Sequence, residues 1–312
     1  MSSHQQGITV PKYQDNCAID TTLPLSLGSL AGKSVIVTGG AGGLGKAYVE
    51  AFVKAGAYVT IADFDEEAGR RTASNLSSGA QFVKCDVRSW EDQVSVFEAA
   101  IHNSPSKSCD VVIANAGVVG ADDMFTLQDP SQPPVKPQLK ILEINLIGMM
   151  YTAKLALHYF RRQPQIPSRD RCLILKGSIA AYADQPGSPQ YNASKWGVRG
   201  LMRNLRRTAW QEDVRVNLVA PWYVRTPILS DAIVEYLESK GVKFATVDDC
   251  VNAMLRIASE TNINGRAFGV VPREEHISGY MDLLHDDYQT GDFMKEWQEI
   301  VLATAQSIVD IV

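Results

Sequence analysis

The stretch SVIVTGGAGGLGKAYVEAFVK, residues 34–54, constrains this chain most strongly. SVIVTGG (Ser34–Gly40) is a short apolar run that ends in glycines, the pattern of a strand buried on both faces of a parallel sheet. Helical spacing follows from Leu44 to Lys54. The pairing then recurs. Strands are expected at Ala57–Asp63, Ala80–Asp86, Asp110–Gly117, Arg171–Ser178, Val214–Pro221 and Ala267–Val271. Helices are expected at Asp65–Leu76, Ser89–His102, Gln138–Arg162 and Gln190–Glu212. Alternation at this interval predicts an α/β domain with a parallel sheet of about seven strands and helices on both faces.

The turn after the first strand, TGGAGGLG (Thr38–Gly45), spaces Gly39, Gly43 and Gly45 as GxxxGxG, with Leu44 opening the helix. Glycines let such a turn be tight and let its backbone approach a pyrophosphate, and the helix N-terminus offers that anion free N–H groups. The match alone is weak; a preceding strand, a following helix and an acid at the right distance strengthen it. The acid is Asp63, twenty residues after Gly43. A carboxylate there accepts the adenosine ribose hydroxyls and repels an added phosphate. The next residues are Phe64, Asp65 and Glu66, with no cation among them, so NAD is expected over NADP. Asp65 suits an N-cap of the next helix better than Asp63 does.

Composition excludes several other functions. The 312 residues carry a formal net charge of −5, which gives no electrostatic reason to expect nucleic acid. Five widely spaced cysteines without a CxxC argue against a disulfide framework or a metal site, and for a reducing compartment. The first ten residues, MSSHQQGITV, lack the apolar core of a secretory signal. No window of eighteen uninterrupted apolar residues exists, so no transmembrane segment is expected and a cytoplasmic location is. Residues 1–30 read as an N-terminal extension on the surface or on a partner, 31–275 as the nucleotide-binding catalytic domain, and 276–312 as a C-terminal helical extension. Within that extension Phe293, Trp297, Ile300, Val301, Thr304 and Ile308 fall near one face of a helix that covers a pocket or docks on a second subunit. The segment 120–137, with four prolines, is expected to be a loop or broken helix, and QPQIPSRD a remote polar turn.

TGGAGGLG at 38–45, Asp63, CDV at 85–87, NAG at 115–117, Asn145, Ser178, YNASK at 191–195 and PWYVRT at 221–226 occur in one order over residues 31–271. That series resembles the short-chain dehydrogenase/reductase family. TPILSDAIVEYL is similar to the NAD-dependent branch that includes 15-hydroxyprostaglandin dehydrogenase. The resemblance implies a Rossmann-type doubly wound sheet. It gives Asp86 the adenine amine, with Val87 supplying a backbone N–H, and sets Asn115, Ala116 and Gly117 beside the cofactor. Pro221, Val224 and Thr226 would cover the nicotinamide, and Lys195 would bond its ribose. Asn145, Ser178, Tyr191 and Lys195 would be catalytic. A homodimer or homotetramer through helices 138–162 and 190–211 is also implied.

Tyr191 and Lys195 lie i and i+4 on one helix face, usually a surface pair when they stand alone. An ammonium beside a phenol favours the phenolate and draws its pKa down from about 10, toward the range where acid–base catalysis works. Ser178 would hold the substrate oxygen, while Asn145 would bend its helix and position a relay water. Two departures from the family pattern stand out. Trp222 replaces the glycine common after Pro221, and KGS (Lys176–Ser178) replaces a serine pair. Ala180, Tyr182, Gln185, Trp222, Tyr223 and Ile228 are the candidate pocket, and their aromatic and apolar mix suits a bulky hydrophobic alcohol or ketone. A biosynthetic ketoreductase or isomerase acting on a polyketide or terpenoid, and a non-catalytic NAD-binding scaffold, are the alternatives.

Overall fold

The computed structural model describes residues 10–124, 129–164, 166 and 169–309, with side chains to 305. The first nine residues, 125–128 of the proline-bearing loop, parts of the polar turn, the last three residues and the side chain of Ile308 lie outside the described residues. Eight strands form one sheet: β1 (Ser34–Thr38), β2 (Tyr58–Asp63), β3 (Ala80–Lys84), β4 (Val111–Ala114), β5 (Cys172–Lys176), β6 (Arg215–Pro221), β7 (Ala267–Val270) and β8 (Tyr280–Asp282). Their order is β3-β2-β1-β4-β5-β6-β7-β8, and only the β7–β8 pair is antiparallel. β1, β4 and β6 are buried along their whole length; β4 (VVIA) and the middle of β1 are accordingly apolar, while β6 also buries Arg215 and Asn217.

Helices cover both faces: α1 (Gly43–Lys54), α2 (Glu66–Asn75), α3 (Trp90–Asn103), α4 (Lys140–Leu142), α5 (Met149–Arg162), α6 (Pro189–Leu205), α7 (Asp231–Ser239), α8 (Val247–Ser259) and α9 (Phe293–Val309). Asp65, Ser89 and Thr246 cap α2, α3 and α8 by accepting from the N–H of Ala68, Asp92 and Asp249. One apolar core lies under α3, α5 and α6, around Phe97, Phe160 and Met202; the other lies under α1 and α8, around Tyr48, Phe52 and Met254. β1 and β4 run parallel, but the order in which successive strands are added to the sheet reverses between them, and ligands of open α/β sheets bind outside the strand ends at such a point. None of the described helices is long and apolar enough to cross a membrane.

The doubly wound sheet expected from the sequence is observed, and the structure adds three details. The sheet has eight strands, because Tyr280–Asp282 adds to the edge of β7; the segment after 276 therefore is not purely helical. The helix starting near Gln190 ends at Leu205 and gives way to a turn of 3₁₀ helix at Ala209–Glu212. The helix from Gln138 is interrupted by a π-helical segment, Glu143–Gly148, that contains Asn145. The N-terminal segment packs against the chain's own C-terminal part. Thr21 Oγ1 donates to Tyr280 O at 3.0 Å, the Asn16 N–H donates to Asp287 Oδ2 at 2.7 Å, and Val10 and Tyr13 are buried.

Candidate active site

The glycine turn fits the crevice beside β4 by shape. Gly39, at φ +64°, leaves room for Ala116: an added Cβ would stand 2.8 Å from the Ala116 Cα. A Cβ on Gly45 would stand 2.0 Å from the Gly39 carbonyl oxygen. Asn115 ties the two strand ends together, its Nδ2 donating to Thr38 O at 2.8 Å and Gly39 O at 3.0 Å. The Thr38 hydroxyl accepts from the N–H of both Asn115 and Ala116. No side chain caps the start of α1, so its first N–H groups face the groove above it.

That groove, about 600 Å³, is lined by Gly39, Gly43, Leu44, Gly45, Asp63, Asp86, Val87, Asn115, Ala116, Gly117 and Thr226, among others. The structure thus brings eleven of the residues expected at a dinucleotide into one surface. Asp63 accepts from the N–H of Ala41 at 2.9 Å and of Asp65 at 3.0 Å, leaving part of its acceptor capacity for a ligand. The cations about the end of β2 are paired, Lys84 and Arg70 with Glu66; farther along the groove Arg88 grips both oxygens of Asp86, and Lys140 lines the same side. Uncapped helix amides, a turn with no room for a side chain at Gly39 or Gly45 and a carboxylate at the end of β2 suit the phosphates and ribose of a dinucleotide.

A smaller cavity of about 140 Å³ adjoins the groove. Ser178 and Tyr191 line it with Gln185, Pro221, Trp222, Tyr223, Val224, Thr226 and Ile228. Ala180 and Tyr182 do not, contrary to expectation. Ala180 is buried in the turn after Ser178, where its N–H donates to Ser178 Oγ at 3.2 Å. The Tyr182 hydroxyl is drawn away to Asp286 Oδ2 at 2.8 Å, and the Arg199 guanidinium sits 4.0 Å from its ring centre. Val119, Lys176, Ile179 and Leu229 also line the cavity and were not foreseen. Trp222 forms a wall: its Nε1 donates to Lys243 O at 3.0 Å and its ring meets Tyr223 edge-on at 4.9 Å.

Pro189 at its first turn sets the start of α6, and the Gln190 N–H donates to Asp122 Oδ2 at 2.7 Å, which fixes the turn that carries Tyr191. Burial pushes Tyr191 above its ordinary pKa, and a hydrogen bond with Ser178 opposes that shift. The lowering expected from Lys195 is absent from the protein alone, because burial dominates and the Lys195 Nζ sits 5.5 Å from the ring centre. Lys195 itself is held down to about 7, by burial first and then by the charge of Lys176. Its Nζ donates to Lys176 O at 3.2 Å. Asn145 is fully buried and bonds the backbone of Val118, while Gly117 separates it from Lys195: a Cβ on Gly117 would stand 3.3 Å from Asn145 Oδ1 and 3.6 Å from Lys195 Nζ. Of the four residues expected to be catalytic, Ser178 and Tyr191 line the small cavity, while Lys195 and Asn145 are buried beside Gly117 and line neither space. Among the described residues no cluster of side chains is arranged to hold a metal ion.

Known proteins resemble this chain in sequence over most of its length. The family described as short chain dehydrogenase matches residues 33–237. A 5'-hydroxyaverantin dehydrogenase of Dothistroma septosporum is 39% identical over 88% of this chain and 93% of its own. A second 5'-hydroxyaverantin dehydrogenase, from Emericella nidulans, is 37% identical over 86% of this chain and 92% of its own. An NADP-dependent dehydrogenase of Phoma sp. is 36% identical over 80% and 78% respectively.

Proposed function

The chain belongs to the short-chain dehydrogenase family, and on that premise we propose that it interconverts a bulky hydrophobic secondary alcohol and its ketone with NAD. The observation that carries this reading is the meeting of Ser178 and Tyr191, in an aromatic cavity, with the end of the glycine-lined groove. A bound nicotinamide would accept or supply the hydride. Gly39, Gly43, Leu44, Gly45, Asp63, Asp86, Val87, Asn115, Ala116, Gly117, Pro221, Val224 and Thr226 would hold the cofactor. Asp63, with no free cation beside it, favours NAD; the Phoma relative's name makes NADP the rival.

Ser178 holds the alcohol oxygen against Tyr191, which takes the hydroxyl proton in oxidation and returns it in reduction. Lys195, close to neutrality, passes the proton onward past Gly117, and Asn145 fixes the loop that closes this route. Gln185, Trp222, Tyr223 and Ile228 would contact the substrate. The two relatives named for 5'-hydroxyaverantin support a secondary-metabolite alcohol as the substrate class. Exposed Ile147, Met150 and Trp196, on the 138–162 and 190–211 helices, support a homodimer or homotetramer.

The test is a panel of bulky secondary alcohols with NAD⁺, followed by NADH formation. Turnover by the wild type, lost in Tyr191→Phe, is expected. NADH binding without turnover of any alcohol or ketone would support the non-catalytic scaffold instead.

A further inference from the structure

Leu44, Lys176, Thr226 and Ile228 line both the long groove and the small cavity. They therefore wall the junction, where a nicotinamide must lie if hydride is to reach a substrate held by Ser178 and Tyr191. Lys176 is the one charged residue of the four. Along β5, Cys172 and Ile174 face the core under α1 and α8, and the alternation sends Lys176 to the same side. No carboxylate or hydrogen-bond acceptor acts on its ammonium among the described residues. Lys176 is half-buried at the rim of both spaces; an ammonium there without a partner is costly, and burial pushes it down to about 8. Packing does not require it at a strand end whose other residues are apolar.

The groups facing it can be named from each side. α8 offers the Cys250 thiol, itself raised to about 12 by burial and so neutral. From α6 come Lys195, whose Nζ bonds the Lys176 carbonyl oxygen, and the neutral Tyr191. α1 offers Leu44 at the junction and, deeper in the core, the neutral Tyr48. Lys176 thus has no anion to answer it within this wall.

We propose that Lys176 discriminates between oxidised and reduced nicotinamide by charge, weakening the hold on NAD⁺ relative to NADH. The inference rests on the cofactor reading above. The oxidised ring is cationic and the reduced ring is neutral, so an ammonium at the junction repels only the first. The consequence is a bound equilibrium displaced toward ketone and reduced cofactor. The discrimination fades as Lys176 loses its proton.

The experiment measures dissociation constants for NAD⁺ and NADH by calorimetry at pH 6.5 and 9.5, on wild type, Lys176→Met and Lys176→Arg. At pH 6.5 the ratio of the NAD⁺ to the NADH constant is expected to fall on the order of tenfold in Lys176→Met and to be retained in Lys176→Arg. Removing Lys176 also raises Lys195, which acts in the opposite sense, so the observed fall is a lower bound. In the wild type the ratio falls between pH 6.5 and 9.5 as both Lys195 and Lys176 lose their protons, and the fall is expected to be smaller in Lys176→Met, which retains only the Lys195 share. An unchanged ratio in Lys176→Met at pH 6.5, with both cofactors still bound, overturns this proposal alone. Wild type that binds neither cofactor overturns the cofactor reading and this proposal with it.

Discussion

Asn145 holds Val118 at both ends of its amide: Oδ1 accepts the Val118 N–H at 2.8 Å, and Nδ2 donates to the Val118 carbonyl oxygen at 2.9 Å. Nδ2 also lies 3.3 Å from Ser194 Oγ, in the helix that carries Tyr191 and Lys195. A π-helical segment turns the side chain toward the loop after β4. One buried amide thus joins that loop to the catalytic helix. Asn145→Ala leaves the N–H and carbonyl of half-buried Val118 without this partner, at a cost of roughly 0.5–1.5 kcal/mol each. A fall in denaturant midpoint is expected with turnover; full stability in Asn145→Ala would contradict the role.

Tyr191→Phe keeps the ring and removes the proton carrier. kcat should fall by about 10²–10⁴ while the NADH dissociation constant stays within about twofold. Because burial raises Tyr191, oxidation should accelerate with pH through the alkaline range and reduction should slow, as the phenolate gains on the phenol. Steady-state rates in both directions check the sign.

Lys195 carries a stability signature. Its folded pKa, about 7, lies below the ordinary 10.5, so the unfolded chain binds more protons between those values. Stability should therefore rise with pH from about 7 toward 10.5, the penalty being greatest below 7. Lys195→Met removes the Lys195 share of that dependence, leaving the share of Lys176, and should unfold later than the wild type at pH 6, although it is inactive. Urea melts across this range test the sign.

Far from the site, Asp170 lies between Arg215, at 2.6 Å, and Lys33, at 3.1 Å, all of them buried. Burial works to raise its pKa, but the two cations overcome it and hold Asp170 at about 2, below the ordinary 3.8. The contribution is present above about pH 4 and is lost as pH falls through 2. Asp170→Asn leaves two buried cations under-compensated and should cost about 3–5 kcal/mol. Cofactor binding by the folded fraction should be unchanged.

Six of the seven longer strands are legible in the sequence because each is largely a run of buried residues; β3 is only partly buried and is legible from its place between two helical stretches. β8 is not, since YMD spans three residues and becomes a strand only by pairing with β7. The glycine turn and Asp63 are legible because their chemistry is local, within twenty-five residues. Tyr182 misled because its direction is set by Asp286, 104 positions away. Lys176 escaped notice because the strand around it is apolar and its face follows from the sheet. The α9 residues Phe293, Trp297, Ile300 and Val301 do fall on an apolar face, and that face is exposed in the single chain.

The central claim is that Asp63 and the glycine groove hold NAD. Titration of wild type and Asp63→Ala with NADH and NADPH, followed by fluorescence, tests it most directly. The account predicts that the wild type binds NADH at least about tenfold more tightly than NADPH, and that Asp63→Ala erodes the preference to near parity. Wild type that prefers NADPH, or an Asp63→Ala variant with the preference intact, would contradict it.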